Sequence, residues 1–242
     1  MSQQIAIITG ANKGIGLETA RQLGHGGMHV IIAARSLEAA NRAAEALTAE
    51  GISAEPLQLD VTDKNSIAAA VERVSAQYDH LDVLVNNAGI MKDAFDKAPS
   101  QQSLDIWRQT FETNLFGAVA VTQGFLPLLR KAPAARIVNV SSILGSMAAN
   151  VDPTSAFYSF KIPAYNISKT ALNAWTVHLA YELRDTPIKV NAAHPGFVKT
   201  DLHGVDAPLS PQQGAETSVY LATLPENGPS GSFFHGREVQ PW

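Results

Sequence analysis

Short apolar runs alternate along this chain with longer stretches of helical period. The runs at 5–9, 30–34, 54–59, 81–85, 136–140 and 188–193 are rich in β-branched residues and almost unbroken in apolar character. That is the mark of strands buried on both faces, rather than the in–out alternation of a half-solvated sheet. Helical patterns fill 15–24, 37–50, 63–78, 103–130, 165–184 and 211–223. Strands separated by helices imply a parallel sheet covered on both sides. The pattern therefore predicts an α/β, doubly wound fold of about seven strands, the last at 232–234.

End signals agree with these boundaries. Thr62 or Asp63 can cap the helix over 63–78, and Ser210 before Pro211 suits a capped start with proline in the first turn. Residues 1–242 read as one unit, with no internal repeat, linker or low-complexity segment. The most irregular stretch, 143–164, holds Gly145, Pro153, Pro163, Phe157, Tyr158 and Phe160. It is too long for an ordinary strand-to-helix turn, and loops of that length are often functional.

Composition narrows the field. A hydrophobic fraction of 45% supports a real core and argues against disorder. A net charge of −4 without runs of either sign disfavours nucleic acid or an anionic membrane as a partner. The absence of cysteine excludes disulfides, thiolate metal sites and cysteine nucleophiles, and the histidines lack metal-ligand spacing. With no signal-peptide pattern and no long apolar span, the expectation is a cytoplasmic protein acting on a small molecule.

The first strand runs into Thr9-Gly10-Ala11-Asn12-Lys13-Gly14-Ile15-Gly16, which opens a helix. Glycines there allow a tight turn and close approach of backbone to phosphate, while the helix N-terminus favours negative charge. In strand–turn–helix context this points to a dinucleotide rather than a purely structural turn. At the end of the second strand a carboxylate would grip both ribose hydroxyls of NAD. The chain has Ala33-Ala34-Arg35-Ser36 instead. Arg35, with Lys13 as a second cation, would pair with the 2′-phosphate of NADP(H), unless both are ordinary surface cations. Asp60, in Leu59-Asp60-Val61, could face the adenine amino group or cap the next helix. The turn Asn86-Asn87-Ala88-Gly89 would let backbone lie against the cofactor.

Candidate chemistry lies further on. Tyr165 and Lys169 are four apart at the start of a helical stretch, so phenol and ammonium share a face. A nearby cation should lower the tyrosine pKa and let Tyr165 exchange a proton with a forming alkoxide. Tyr158 and Lys161, only three apart, form a decoy pair. The fifth strand ends in Ser141-Ser142, where open α/β sheets bind ligands, and Ser142 could polarise a carbonyl or merely end the strand.

Together these residues resemble the classical branch of the short-chain dehydrogenase/reductase family. The motifs TGANKGIG at 9–16, NNAG at 86–89, Asn114, Ser142, YNISK at 165–169 and HPGFVKTD at 194–201 stand in the family's order over nearly the whole chain. The resemblance implies a Rossmann fold, with Ser142 orienting a carbonyl and Tyr165 as general acid. Lys169 would also bind the nicotinamide ribose, and Asn114 would support a water relay from Lys169. Pro195, Gly196, Val198 and Thr200 would hold the carboxamide. TGANKGIG, Ala34-Arg35 and the ending REVQPW at 237–242 resemble the carbonyl reductases in particular. The departure is the segment between Ser142 and Tyr165, longer than in ordinary members and much shorter than in mammalian carbonyl reductases. The monomeric state of those reductases therefore does not carry over, and monomer or homo-oligomer stays open.

The reading is thus NADPH-dependent reduction of a ketone or aldehyde, with Ile143, Leu144, Phe157 and Phe197 lining the substrate pocket and Met147, Phe160, Met91 and Phe95 beside them. The loop side chains could instead simply pack the loop onto the body. Competing readings are an NAD-dependent alcohol dehydrogenase, a ketoacyl reductase and a non-catalytic NADP(H) sensor. No basic cluster for an acyl-carrier partner is present, and sensors usually break the tyrosine–lysine pair, which is intact here.

Overall fold

The fold was analysed in a computed structural model, which describes residues 3–202 and 206–242. Its strands are β1 (Ile5–Thr9), β2 (His29–Ala34), β3 (Ala54–Gln58), β4 (Val83–Asn86), β5 (Arg136–Val140), β6 (Lys189–Ala193), β7 (Phe233–His235) and β8 (Glu238–Val239). They form one sheet in the order β3-β2-β1-β4-β5-β6-β7-β8. All pairings are parallel except β7 with β8. The order reverses between β1 and β4, which opens a crevice at the carboxyl ends of those strands.

Helices α1 (Gly14–His25), α2 (Leu37–Ala49) and α8 (Pro211–Ala222) cover one face. The other is covered by α3 (Lys64–Gln77), α4 (Leu104–Phe111), α5 (Ala118–Leu129) and α7 (Pro163–Glu182). A continuous apolar strand serves both faces at once. Ile5 and Ile7 of β1 join the core with Leu84, Phe125 and Leu179, while Ala6 and Ile8 join Leu23, Leu47 and Leu221 on the opposite side.

The structure departs from the sequence pattern in three places. An eighth strand follows a tight turn at Gly236 (φ +59°); it is two exposed residues long, so no burial pattern announces it. The stretch 103–130 is not one regular helix, because Glu112–Gly117 forms a π-helical turn between α4 and α5. Residues 143–164 are more ordered than a loop. They contain a 3₁₀ turn at Ile143–Gly145, the short helix α6 (Met147–Val151) and the first residues of α7, which begins with Pro163 at its first position. Of the two candidate caps on α3, Asp63 takes the position, accepting from Asn65 N at 2.9 Å.

Ser210 caps α8 in a reciprocal box with Gln213, in line with the sequence signal. Among the described residues no helix is long and apolar enough to cross a membrane. Phe125 is among the largest side chains with no exposure. Phe125→Ala should lower unfolding free energy by about 3–5 kcal/mol in urea titration; a change below about 1 kcal/mol would show that this core is not close-packed.

Candidate active site

The glycine loop is shaped by its neighbours. Gly10 (φ +63°) and Gly14 (φ +58°) take left-handed backbone that side chains rarely adopt. A Cβ on Gly16 would lie 2.4 Å from the Asn87 amide nitrogen, which instead donates to the carbonyls of Thr9 (2.8 Å) and Gly10 (3.2 Å). The Thr9 hydroxyl accepts from Asn87 N and Ala88 N, both at 3.0 Å. The ends of β1 and β4 are thereby stitched into one floor. Helix α1 has no side-chain cap, so its first N–H groups face the crevice without a local acceptor. Asn12 is half-buried beside them, and Ile15 turns towards α8 at Gly214. These features fit the phosphates of a dinucleotide.

Beside the ends of β2 and β3, a cleft of about 530 Å³ is lined by Arg35, Gln58, Asp60, Asp63, Ser66 and Arg73, among others. Arg35 is exposed at this cleft. Lys13 lies elsewhere: its ammonium pairs with Asp201, on the segment after β6, so it is not an unpaired cation. One Asp60 oxygen accepts from both Thr62 N (2.9 Å) and Thr62 Oγ1 (2.8 Å), which folds the carboxylate over its own turn. Val61 is buried and meets the π turn at Gly117, where a Cβ would approach it to 2.9 Å.

The catalytic candidates converge on the inner face of α7. Tyr165 (4% exposed), Lys169 (4%), Ser142 (8%) and Asn114 (1%) are all buried. The Ser142 hydroxyl lies beside the Tyr165 phenol and favours its ionised form. The same hydroxyl accepts from Leu144 N at 3.2 Å, capping the 3₁₀ turn. Lys169 donates to the Val140 carbonyl at 2.7 Å and stands 5.8 Å from the Tyr165 ring centre. Burial pushes the Tyr165 phenol up to about 12, with the Ser142 hydroxyl opposing. Burial also draws Lys169 down to about 8. The tyrosine shift runs opposite to the sequence expectation. Loss of solvent penalises phenolate more than the cation favours it, and the ammonium is itself committed to Val140.

Asn114 sits in the π turn. Its oxygen accepts from Ile90 N (2.8 Å), and its amide donates to Ile90 O (2.9 Å) and Ser168 Oγ (3.0 Å). A Cβ on Gly89 would lie 3.5 Å from both Asn114 Oδ1 and Lys169 Nζ, so Gly89 borders both groups.

A family profile described as short chain dehydrogenase matches residues 4–208. The chain belongs to the short-chain dehydrogenase family. It is 36% identical to carbonyl reductase (NADPH) 1 of Mus musculus, the alignment taking in 100% of this chain and 99% of the relative. It is 38% identical to the short-chain dehydrogenase anuI of Penicillium roqueforti, over 92% and 90% of the two chains. Among solved structures, the NADPH-bound carbonyl reductase from chicken fatty liver superposes with a TM-score of 0.86 at 28% identity, with 100% of both chains covered. Salutaridine reductase from Papaver somniferum gives 0.83 at 27%, over 96% and 99%.

Within this short-chain dehydrogenase frame the remaining predicted residues divide. Gly196 (φ +85°) turns the chain after Pro195 so tightly that a Cβ would meet Leu209 at 2.4 Å. Val198 is fully buried against Gly214. The Thr200 methyl lies 3.6 Å from a Cβ position on Gly14, so this segment borders the glycine loop. Ile143, Leu144 and Phe157 pack with Ala192 and Phe233 in a small core of their own. Phe197, Met147, Phe95 and Phe160, by contrast, are exposed. The decoy Tyr158–Lys161 is an exposed cation–π pair, 4.6 Å apart.

Two supports were missed from sequence. His194 Nδ1 accepts from Ile143 N (3.2 Å) and Gly196 N (3.3 Å), tying the serine turn to the Pro195-Gly196 turn. Asn86 donates to Thr122 and Asn139, and Asn139 to Thr176, all at 2.9 Å, forming a buried polar ladder across β4, β5 and α7. A polar residue inside the apolar run of β5 was its available signal.

The serine turn lies directly on α7: a Cβ on Gly145 would stand 2.8 Å from Lys169 backbone and side-chain carbons. Gly145→Ala should therefore destabilise the protein by about 1–3 kcal/mol through overpacking. Calorimetry would measure it, and an unchanged melting temperature would mean that the turn can yield.

Proposed function

We propose that the protein reduces ketones or aldehydes to alcohols with NADPH, reversibly, Tyr165 supplying the proton. The observation that carries this reading is the burial of Ser142, Tyr165 and Lys169 together, with the ammonium 5.8 Å from the Tyr165 ring centre and bonded to the end of β5, at the carboxyl edge of the sheet next to the glycine loop. NADP(H), when bound, supplies the hydride. The mouse relative's NADPH-specific name and the NADPH-bound chicken structure support that cofactor. So does Arg35 in place of a ribose-binding carboxylate.

The chain's own groups do the rest. Thr9, Gly10, Asn12, Gly14, Ile15 and Gly16 present backbone to the phosphates, and Arg35 meets the 2′-phosphate bidentately. Lys13 can join Arg35 by giving up an exposed ion pair, which stabilises little. Asp60, Val61, Asn87, Ala88 and Gly89 border the adenosine and ribose path. Pro195, Gly196, Val198 and Thr200 offer backbone and hydroxyl groups to the carboxamide.

Ser142 and Tyr165 place two hydroxyls where a carbonyl oxygen gains negative charge, and their bonds strengthen as that charge grows. A phenol held at about 12 stays protonated at neutral pH, as an acid must. Lys169, charged below about 8, favours the phenolate left after transfer. Return of the proton runs from Lys169 past Gly89, beside Asn114.

Tyr165→Phe should cut turnover about a hundred- to ten-thousand-fold while NADPH still quenches protein fluorescence with near-normal affinity; an active variant would name another acid. Arg35→Asp should move the ratio of specificity constants from NADPH towards NADH, and an unmoved ratio would remove Arg35 from its assignment. Because the Lys169 pKa is lowered, reduction should hold below pH about 8 and fall as the ammonium loses its proton above it. A rate that is flat or rising through that pH contradicts the role given to Lys169.

A further inference from the structure

We propose that Asp93 is a positioning residue, anchoring the general acid to the cofactor side of the cleft. The proposal rests on the assignment of Tyr165 as proton donor. Asp93 is 6% exposed and belongs to no helix or strand. Its carboxylate accepts from Ala164 N at 2.8 Å through one oxygen and from Tyr165 N at 3.1 Å through the other. Helix α7 has no cap of its own: Ile162 offers no acceptor, and Pro163 has no N–H. Ala164 and Tyr165 therefore carry the first two backbone donors of the helix. Both are satisfied by one charged group 71 and 72 residues earlier in the chain, placed where the helix dipole favours an anion.

The segment that supplies this cap is held along its length. Asn87 N and Ala88 N bond the Thr9 hydroxyl at the end of β1. Asn114 holds both backbone groups of Ile90. Gln102, itself buried, accepts from Ala94 N at 3.0 Å and donates to Ala94 O at 2.7 Å. A continuous set of short contacts thus leads from the glycine-loop floor to the backbone of Tyr165. A serine or asparagine at position 162 could cap the helix just as well locally. A cap from the cofactor-side loop does something a local one cannot, because it fixes the phenol relative to the floor on which the nicotinamide end must lie. Proton and hydride reach one carbonyl group from two different segments, and a misplacement of about 1 Å between them can lower the rate about a hundredfold.

The test uses the full chain with Asp93→Ala and Asp93→Asn. The main readout is the single-turnover oxidation of bound NADPH by an aromatic aldehyde, enzyme in excess, so that any unfolded fraction does not count. Asp93→Ala should slow this step about tenfold or more, with the NADPH dissociation constant within about twofold of the parent. Amide hydrogen exchange at Ala164 and Tyr165, which needs no substrate, should speed up. Asp93→Asn keeps one acceptor oxygen and should recover part of the rate, which also covers the case of an alanine variant that fails to fold. A parental single-turnover rate in a variant whose two amides exchange faster would reduce Asp93 to an ordinary cap and overturn the proposal. Loss of NADPH affinity with the hydride step intact would overturn it too. An active Tyr165→Phe would instead sink the assignment of the acid, separately from either result.

Discussion

A lysine ammonium carried into a site with 4% of the residue exposed must be compensated locally, because stripping water from a charge is among the largest unfavourable terms in a protein interior. Lys169 meets this in two ways. It donates to the last carbonyl of β5 at 2.7 Å, and its pKa falls to about 8. That bond draws α7 onto the strand that ends in Ser141-Ser142. The approach is close enough that residue 145 has no room for a side chain without movement. One turn earlier on the same helix face stands Tyr165, which burial keeps protonated, with the Ser142 hydroxyl beside it. The positions of acid, hydroxyl partner and cation are consequences of one buried charge finding its acceptor.

The sheet explains why this happens where it does. Strands buried on both faces have nowhere to put polar chemistry except at their ends, and the reversal of order between β1 and β4 leaves the carboxyl ends uncovered. The polar ladder through Thr122, Asn86, Asn139 and Thr176 lies just beneath that edge and joins helix, strand, strand and helix. The directional bonds of such a ladder fix relative positions more sharply than apolar contacts can. The Asp93 anchor, the Asn114 clamp on Ile90 and the His194 bonds to Ile143 and Gly196 are further directional contacts around the same cleft.

Much of this was legible in the sequence, for identifiable reasons. Strands 5–9 and 136–140 coincide with β1 and β5 because both are short, mostly apolar and β-branched runs with sharp ends. Tyr165, Lys169, Ser142 and the glycine loop come together because each sits at a fixed offset from a strand or helix end. What escaped depends on contacts between residues far apart in the chain. The cap on α7 comes from 71 residues away, and no local signal marks it. The ion pair of Lys13 with Asp201 spans 188 positions and has no local signal either. The direction of the Tyr165 shift turned on burial, which a spacing rule cannot weigh. Ile143, Leu144 and Phe157 look like pocket residues by composition, yet Phe233 on β7 gives them a core to fill.

The most direct test of the central claim is the loss of reduced-nicotinamide absorbance with the purified protein, NADPH and NADH side by side, against aromatic aldehydes, diketones, quinones and β-keto esters. The account expects turnover of at least one of these carbonyls, faster with NADPH than with NADH. NADPH bound tightly while every carbonyl is left untouched would contradict it, and would mean that the buried tyrosine, serine and lysine are arranged for something other than carbonyl reduction.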